Sequence, residues 1–236
     1  MRRVFVLLLL ALSGCGAAVE RHVLVPAEAW APSSPALRDK AETFRQVSRA
    51  VARAAGAECR RQTKGQNCDF VILVDLGPFS QPNAFQTLDE HGRPLVIFNQ
   101  GMIGSARNGD EMAFVMGHEA AHHIMGHIAR QIENAKEGAR VFGELAKAQG
   151  EGPDEIERAQ QLGAEVGMQS YAKAFELEAD ILGTVITNEA GYDPLKGMAY
   201  FSRIPDPGDR FLASHPPNAR RVEVVLKTAA DLGLVE

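Results

Sequence analysis

Residues 112 to 127 read Met-Ala-Phe-Val-Met-Gly-His-Glu-Ala-Ala-His-His-Ile-Met-Gly-His, and four of the chain's seven histidines fall within positions 118 to 127. His118 and His122 are four residues apart. On an α-helix that is about 40° of rotation, so both imidazoles share one face, one turn apart. Neutral imidazole is a good zinc ligand, and an i, i+4 pair can grip one ion. Glu119 lies about 100° around the helix, beside such an ion rather than on it. A carboxylate there can take a proton from water at the metal, which is the physical logic of the HExxH pattern. His123 and His127 are also four apart, but Ile124 follows His123, so that register offers no adjacent base. On a continuous helix His127 sits about 180° from His118 and cannot share its metal. His123 and His127 are therefore expected to pack or to support the ligands. Met112, Phe114, Val115 and Met116 precede the motif, and Gly117, Ala120, Ala121 and Gly126 are small, which describes a closely packed central helix.

A zinc peptidase site needs a third protein ligand and an open position for water. Far downstream stands Phe175-Glu176-Leu177-Glu178-Ala179-Asp180. Glu176 and Asp180 are again i and i+4, so one can bind the metal while the other steadies a ligand histidine through its free ring N–H. The alternative is a solvated acidic face, which Ala174, Leu177, Ile181 and Leu182 argue against by making the helix largely apolar. Glu178 is the rival ligand. It lies about 200° from Glu176, and only Glu176 has a partner carboxylate one turn on.

HExxH followed by ExxAD resembles the M48 group of gluzincin metallopeptidases. The likeness extends outward to Asn83-Ala84-Phe85, a strand start, to Gly191-Tyr192-Asp193-Pro194, a turn after the ligand helix, and to Ser214-His215-Pro216 with Arg221. The resemblance implies zinc held by His118, His122 and Glu176, one ion per chain. It implies Glu119 as general base, Asp180 orienting a ligand histidine, and Arg221 supporting the site. His215 would stand at the metal's open side, to stabilise an oxyanion or to cap a closed site. Asn83, Ala84 and Phe85 would form the edge strand that receives substrate. No internal apolar run is long enough for a membrane helix, so the resemblance points to the exported branch rather than to the CAAX-prenyl members.

Around this centre the chain is read as follows. Leu37, Ala41, Phe44, Val47, Val51 and Ala54 have helical spacing. Residues 69–76 form a β-branched run, hence a buried strand. Residues 84–88 and 95–99 flank Asp89-Glu90-His91-Gly92 and make a hairpin. A long helix is expected from Asp110 to about Ala148, then helices over about 154–166 and 171–190. Pro205, Pro207, Pro216 and Pro217 make a loop before a final helix with Val222, Val225 and Leu226. The expected fold is α+β and zincin-like: a small, mostly antiparallel sheet on the central helix, with further helices behind.

The first residues differ from the rest. Arg2 and Arg3 precede a short apolar run, Val4 to Leu12, the plan of an export signal. Leu12-Ser13-Gly14-Cys15 resembles a bacterial lipobox, which implies a signal over residues 1–14, a lipid on Cys15 and a membrane anchor. Gly16 after that cysteine points to the outer membrane and a periplasmic location. Residues 15–35, with three prolines, are expected to be a tether and 36–236 the peptidase domain. In an oxidising compartment Cys59 and Cys68 are expected to pair. The net charge is −5, no basic cluster carries interleaved aromatics, and nucleic acid is not an expected partner. The expected function is a zinc endopeptidase acting on unfolded or misassembled envelope proteins. The alternative is a zinc-stabilised chaperone or assembly factor for outer-membrane proteins, motivated by His215 as a possible cap and by a helical stretch at 138–167 able to cover a cleft.

Overall fold

The computed structural model describes residues 23–77, 81–206 and 216–235. Its strands are β1 (Leu24–Pro26), β2 (Val71–Asp75), β3 (Ala84–Leu88) and β4 (Pro94–Asn99). Its helices are α1 (Pro35–Gln62), α2 (Gln100–Ser105), α3 (Gly109–Ile124), α4 (His127–Ala148), α5 (Pro153–Ser170), α6 (Ala172–Glu189), α7 (Pro194–Gly197) and α8 (Asn218–Asp231). The architecture is α+β and zincin-like, as the pattern of elements led one to expect. The sheet order is β1-β2-β4-β3. Its two outer ladders are antiparallel and the central β2–β4 ladder is parallel, so the sheet is mixed.

β3 and β4 form the expected hairpin. Asp89 closes its turn by accepting from the backbone N–H groups of His91 and Arg93, at 2.9 and 2.8 Å. β4 is buried at all six positions. One of its faces sends Val96 and Phe98 into the main core, and the other sets Leu95 and Ile97 against Leu24, Leu73 and Phe85. The main core joins this sheet to α1 through Phe44, Val47 and Val51, to α3 through Met112, Met116 and Ala120, and to α6 through Ala179, Leu182 and Ile186. Each of the larger side chains, valine and upward, contributes roughly 1.5–3 kcal/mol by leaving water.

Two sequence expectations change. Residues 24–30 belong to the fold and not to a tether. β1 pairs with β2, Leu24 opposite Asp75. Trp30 is 2% exposed and meets Phe44 edge to face at 5.8 Å. The prolines that suggested a linker have positional uses instead: Pro26 ends a strand at the sheet edge, and Pro35 occupies the first turn of α1. The second change is in the long helix, which is two helices. The backbone at Gly126 takes φ 65°, ψ 31°, a left-handed conformation that glycine adopts without a Cβ penalty. It closes α3, donating to the His123 carbonyl at 2.9 Å. α4 then leaves in a new direction and returns through α5. Gly138, Gly163 and Gly167 let these two helices touch at backbone level.

α3 and α6 approach each other through a second pair of glycines. A Cβ on Gly183 would lie 2.9 Å from the His118 backbone nitrogen, and one on Gly117 would lie 3.0 Å from the Gly183 carbonyl oxygen. Gly183→Ala is therefore expected to force the helices apart and cost about 1–3 kcal/mol, read by urea unfolding. Gly104→Ala, whose Cβ would meet only Leu37 at 3.5 Å, should be neutral or stabilising by up to about 1 kcal/mol.

Candidate metal centre

α3 begins on Asn108, whose side chain accepts from the Glu111 N–H at 2.9 Å. From there the helix carries His118 and His122 to the face that meets α6, where Glu176 stands. His118 Nε2 and His122 Nε2 are 3.1 Å apart. Glu176 places one carboxylate oxygen 3.6 Å from His118 Nε2 and the other 3.3 Å from His122 Nε2. Tetrahedral zinc with bonds of about 2.0–2.1 Å needs ligand atoms roughly 3.4 Å apart. The three side chains thus have the atoms, the spacing and the convergence to hold one metal ion.

Each histidine is held from behind. Asp180, fully buried, lies 2.9 Å from His118 Nδ1 and accepts two hydrogen bonds from Arg221, each 2.7 Å. The Arg221 guanidinium rests 4.0 Å over the Phe201 ring. Burial works against charge on His118. The hydrogen bonds and negative charges of Asp180 and Glu176 outweigh it and raise its pKa to about 10. Burial also opposes ionisation of Asp180, but Arg221 and His118 hold its carboxyl below the usual value. With no metal bound, a proton occupies the cluster, and a metal ion must displace it. Behind His122 stands His127, and behind His127 stands Glu178. Burial, against the hydrogen bond that His127 donates to Glu178, lowers the His127 pKa to about 4 and keeps it neutral. His123 is turned away from the cluster: its Nε2 lies 2.7 Å from the Asn67 carbonyl oxygen. Asn67 belongs to the loop closed by the Cys59–Cys68 disulfide, so that loop is clamped to the end of α3.

Glu119 lies beside the cluster in a cleft of about 490 Å³, walled by the start of β3, by α2 and α3, and by residues 200–205. Burial is the largest influence on its carboxyl and raises its pKa, with the charges of His118 and His122 opposing. Asn83 and Ala84 line this cleft, but Phe85 packs under the sheet among Leu95 and Ile97. Among the described residues β3 is an edge of the sheet. No residue of the α4–α5 hairpin lines the cleft, so the 138–167 stretch does not cover it. His215 and Cys15 lie outside the described residues.

Two supporting sets were not legible from spacing. Glu178, considered only as a rival ligand, is bound instead to His127 and Arg130. Its role shows only once the turn at Gly126 carries α4 toward α6. Arg203, on the far wall, makes two hydrogen bonds to buried Glu111, at 2.5 and 2.6 Å, and so ties the 200–205 wall to the first turn of α3. Nothing in the local sequence pairs residues 92 apart.

A sheet edge, a histidine-bearing helix and a glutamate-bearing helix crossing it define a metallopeptidase class. A family model described as Peptidase family M48 matches residues 41–229, and the chain belongs to that family. Over 129 residues it is 30% identical to a Vibrio cholerae protein with the provisional name beta-barrel assembly-enhancing protease, covering 52% of this chain and 26% of that one. Over 135 residues it is 25% identical to mitochondrial metalloendopeptidase OMA1 of Arabidopsis thaliana, covering 56% and 27%. The chain thus matches about a quarter of the length of these curated relatives.

Replacing Asp180 by Asn keeps the shape but removes the closest counter-charge of the buried Arg221 guanidinium, leaving it only Glu176 at 3.9 Å. Loss of a buried partner costs about 3–5 kcal/mol. Denaturant unfolding in excess chelator should show a loss of that order, separate from any metal effect.

Proposed function

We propose that this protein is a zinc-dependent endopeptidase acting on unfolded or misassembled proteins of the bacterial cell envelope. The observation that carries the reading is a set of three ligand side chains at tetrahedral spacing, two of which, His118 and Glu176, line one open cleft together with Glu119. Zinc held by His118, His122 and Glu176 would act as a Lewis acid, bringing the pKa of an adjacent water toward neutrality.

Glu119 takes the proton from that water as it attacks the peptide carbonyl. It then delivers the proton to the departing amine nitrogen. The raised pKa of Glu119 suits a group that must both accept and return a proton. Asp180 and Arg221 hold His118 in place through this cycle. An extended substrate adds to the free edge of β3, hydrogen-bonding backbone to backbone near Ala84. Met102, Phe114, Val115 and Ile204 give the cleft an apolar wall that favours the apolar segments exposed by unfolded chains. His215, three residues before α8 in the sequence, is proposed to stand at the open side of the metal. The envelope assignment rests on the export-type start of the sequence, Cys15 as a lipid-bearing residue, the Cys59–Cys68 disulfide and the name of the Vibrio cholerae relative.

Glu119→Gln removes the base while leaving the ligands untouched. It should retain one zinc per chain by metal analysis and cleave an unfolded protein at least about 100-fold more slowly. Cleavage at the wild-type rate would rule out this mechanism. Chelation should abolish wild-type cleavage, and added zinc should restore it.

A further inference from the structure

Glu176, Glu178 and Asp180 stand at alternate positions of α6. Glu176 faces the ligand cluster and Asp180 holds His118. Glu178 belongs to a separate cage on the other side. His127 Nδ1 lies 2.8 Å from His122 Nδ1, and His127 Nε2 lies 3.1 Å from Glu178 Oε2. Arg130 donates to both Glu178 oxygens, at 2.6 and 3.3 Å. The Phe175 ring stacks on His127 at 4.5 Å with its planes 10° apart, and the Arg130 guanidinium lies 4.1 Å from the centre of the Phe175 ring. His127 is 1% exposed, so its orientation is not set by water.

The protons in this chain can be counted. A carboxylate paired with arginine only accepts, so His127 Nε2 carries the hydrogen. Between two Nδ1 atoms 2.8 Å apart, one donates and one accepts. Were His127 the donor, a neutral His122 would carry its own hydrogen on Nε2, aimed into the cluster where the metal must bind. With His122 as donor, its Nε2 lone pair faces His118 and Glu176. Only this arrangement agrees with a metal site.

We infer that His127, locked by Glu178, is a positioning residue that fixes His122 as a metal ligand by accepting its Nδ1–H. The inference rests on the metal-site reading above. It makes the two ligand histidines alike: each is backed by a carboxylate, an arginine and a phenylalanine, with one imidazole interposed on the His122 side. Gly126 is what allows this, since its left-handed backbone turns His127 under His122 instead of away from it.

The test is zinc affinity, measured by competition with a chromophoric chelator, alongside thermal melting of the metal-free proteins. His127→Phe keeps the ring and its stack on Phe175 but cannot accept. It should lose about 10- to 100-fold in zinc affinity, the usual effect of removing such a support, with the metal-free melting curve unchanged. His127→Asn places an amide oxygen near the position of Nδ1 and should recover most of the affinity. Glu178→Ala, at a half-exposed position, should lose affinity to an intermediate degree. It carries the test if His127→Phe fails to fold. Wild-type affinity in His127→Phe, or in Glu178→Ala when that variant stands in, overturns the inference. So does an Asn variant as weak as the Phe variant. Failure of the wild-type protein to bind zinc would instead overturn the metal reading itself.

Discussion

The structure depends on how closely α3 and α6 can approach. A metal ion asks for ligand atoms little more than 3 Å apart, yet helices packed through ordinary side chains keep their axes about 8–10 Å apart. Gly117 and Gly183 remove the side chains at the crossing, and backbone meets backbone there. His118 stands next to Gly117, so the closest point of the crossing and the ligand cluster coincide. Glu176, two turns before Gly183, can then reach both histidines without stretching.

That proximity puts several charges out of water, and the fold answers with pairing. Asp180 is fully buried, and it persists as an anion because Arg221 offers two N–H groups and His118 a third contact. Arg221 comes from α8, so the final helix is bound to the candidate metal centre by an ion pair as well as by the packing of Val225 on Phe114 and Phe201. Arg203 and Glu111 do the same for the wall of the cleft. The candidate metal site and the stability of the domain therefore draw on the same buried pairs.

The His122 side shows how a small backbone event decides chemistry. Read along a straight helix, His127 points away from His118 and has no part in the site. One left-handed residue at Gly126 ends that helix and brings His127, Arg130, Phe175 and Glu178 together. Periodicity identifies Gly126 as small but does not distinguish a packing glycine from a terminating one.

The sequence by itself determined the elements that rest on local spacing: His118, Glu119 and His122 on one helix, Glu176 and Asp180 on another, the β3–β4 hairpin around Asp89. These were legible because side-chain direction within a helix or strand follows from the period alone. The tertiary structure decided what spacing cannot express. It set Glu178 on His127 rather than in the His118–His122–Glu176 cluster, and turned Phe85 beneath the sheet while Asn83 and Ala84 faced the cleft. It drew residues 24–30 into the core and moved the α4–α5 hairpin off the cleft. Each of these depends on which distant surfaces meet, and that is settled by backbone turns and the burial of whole faces.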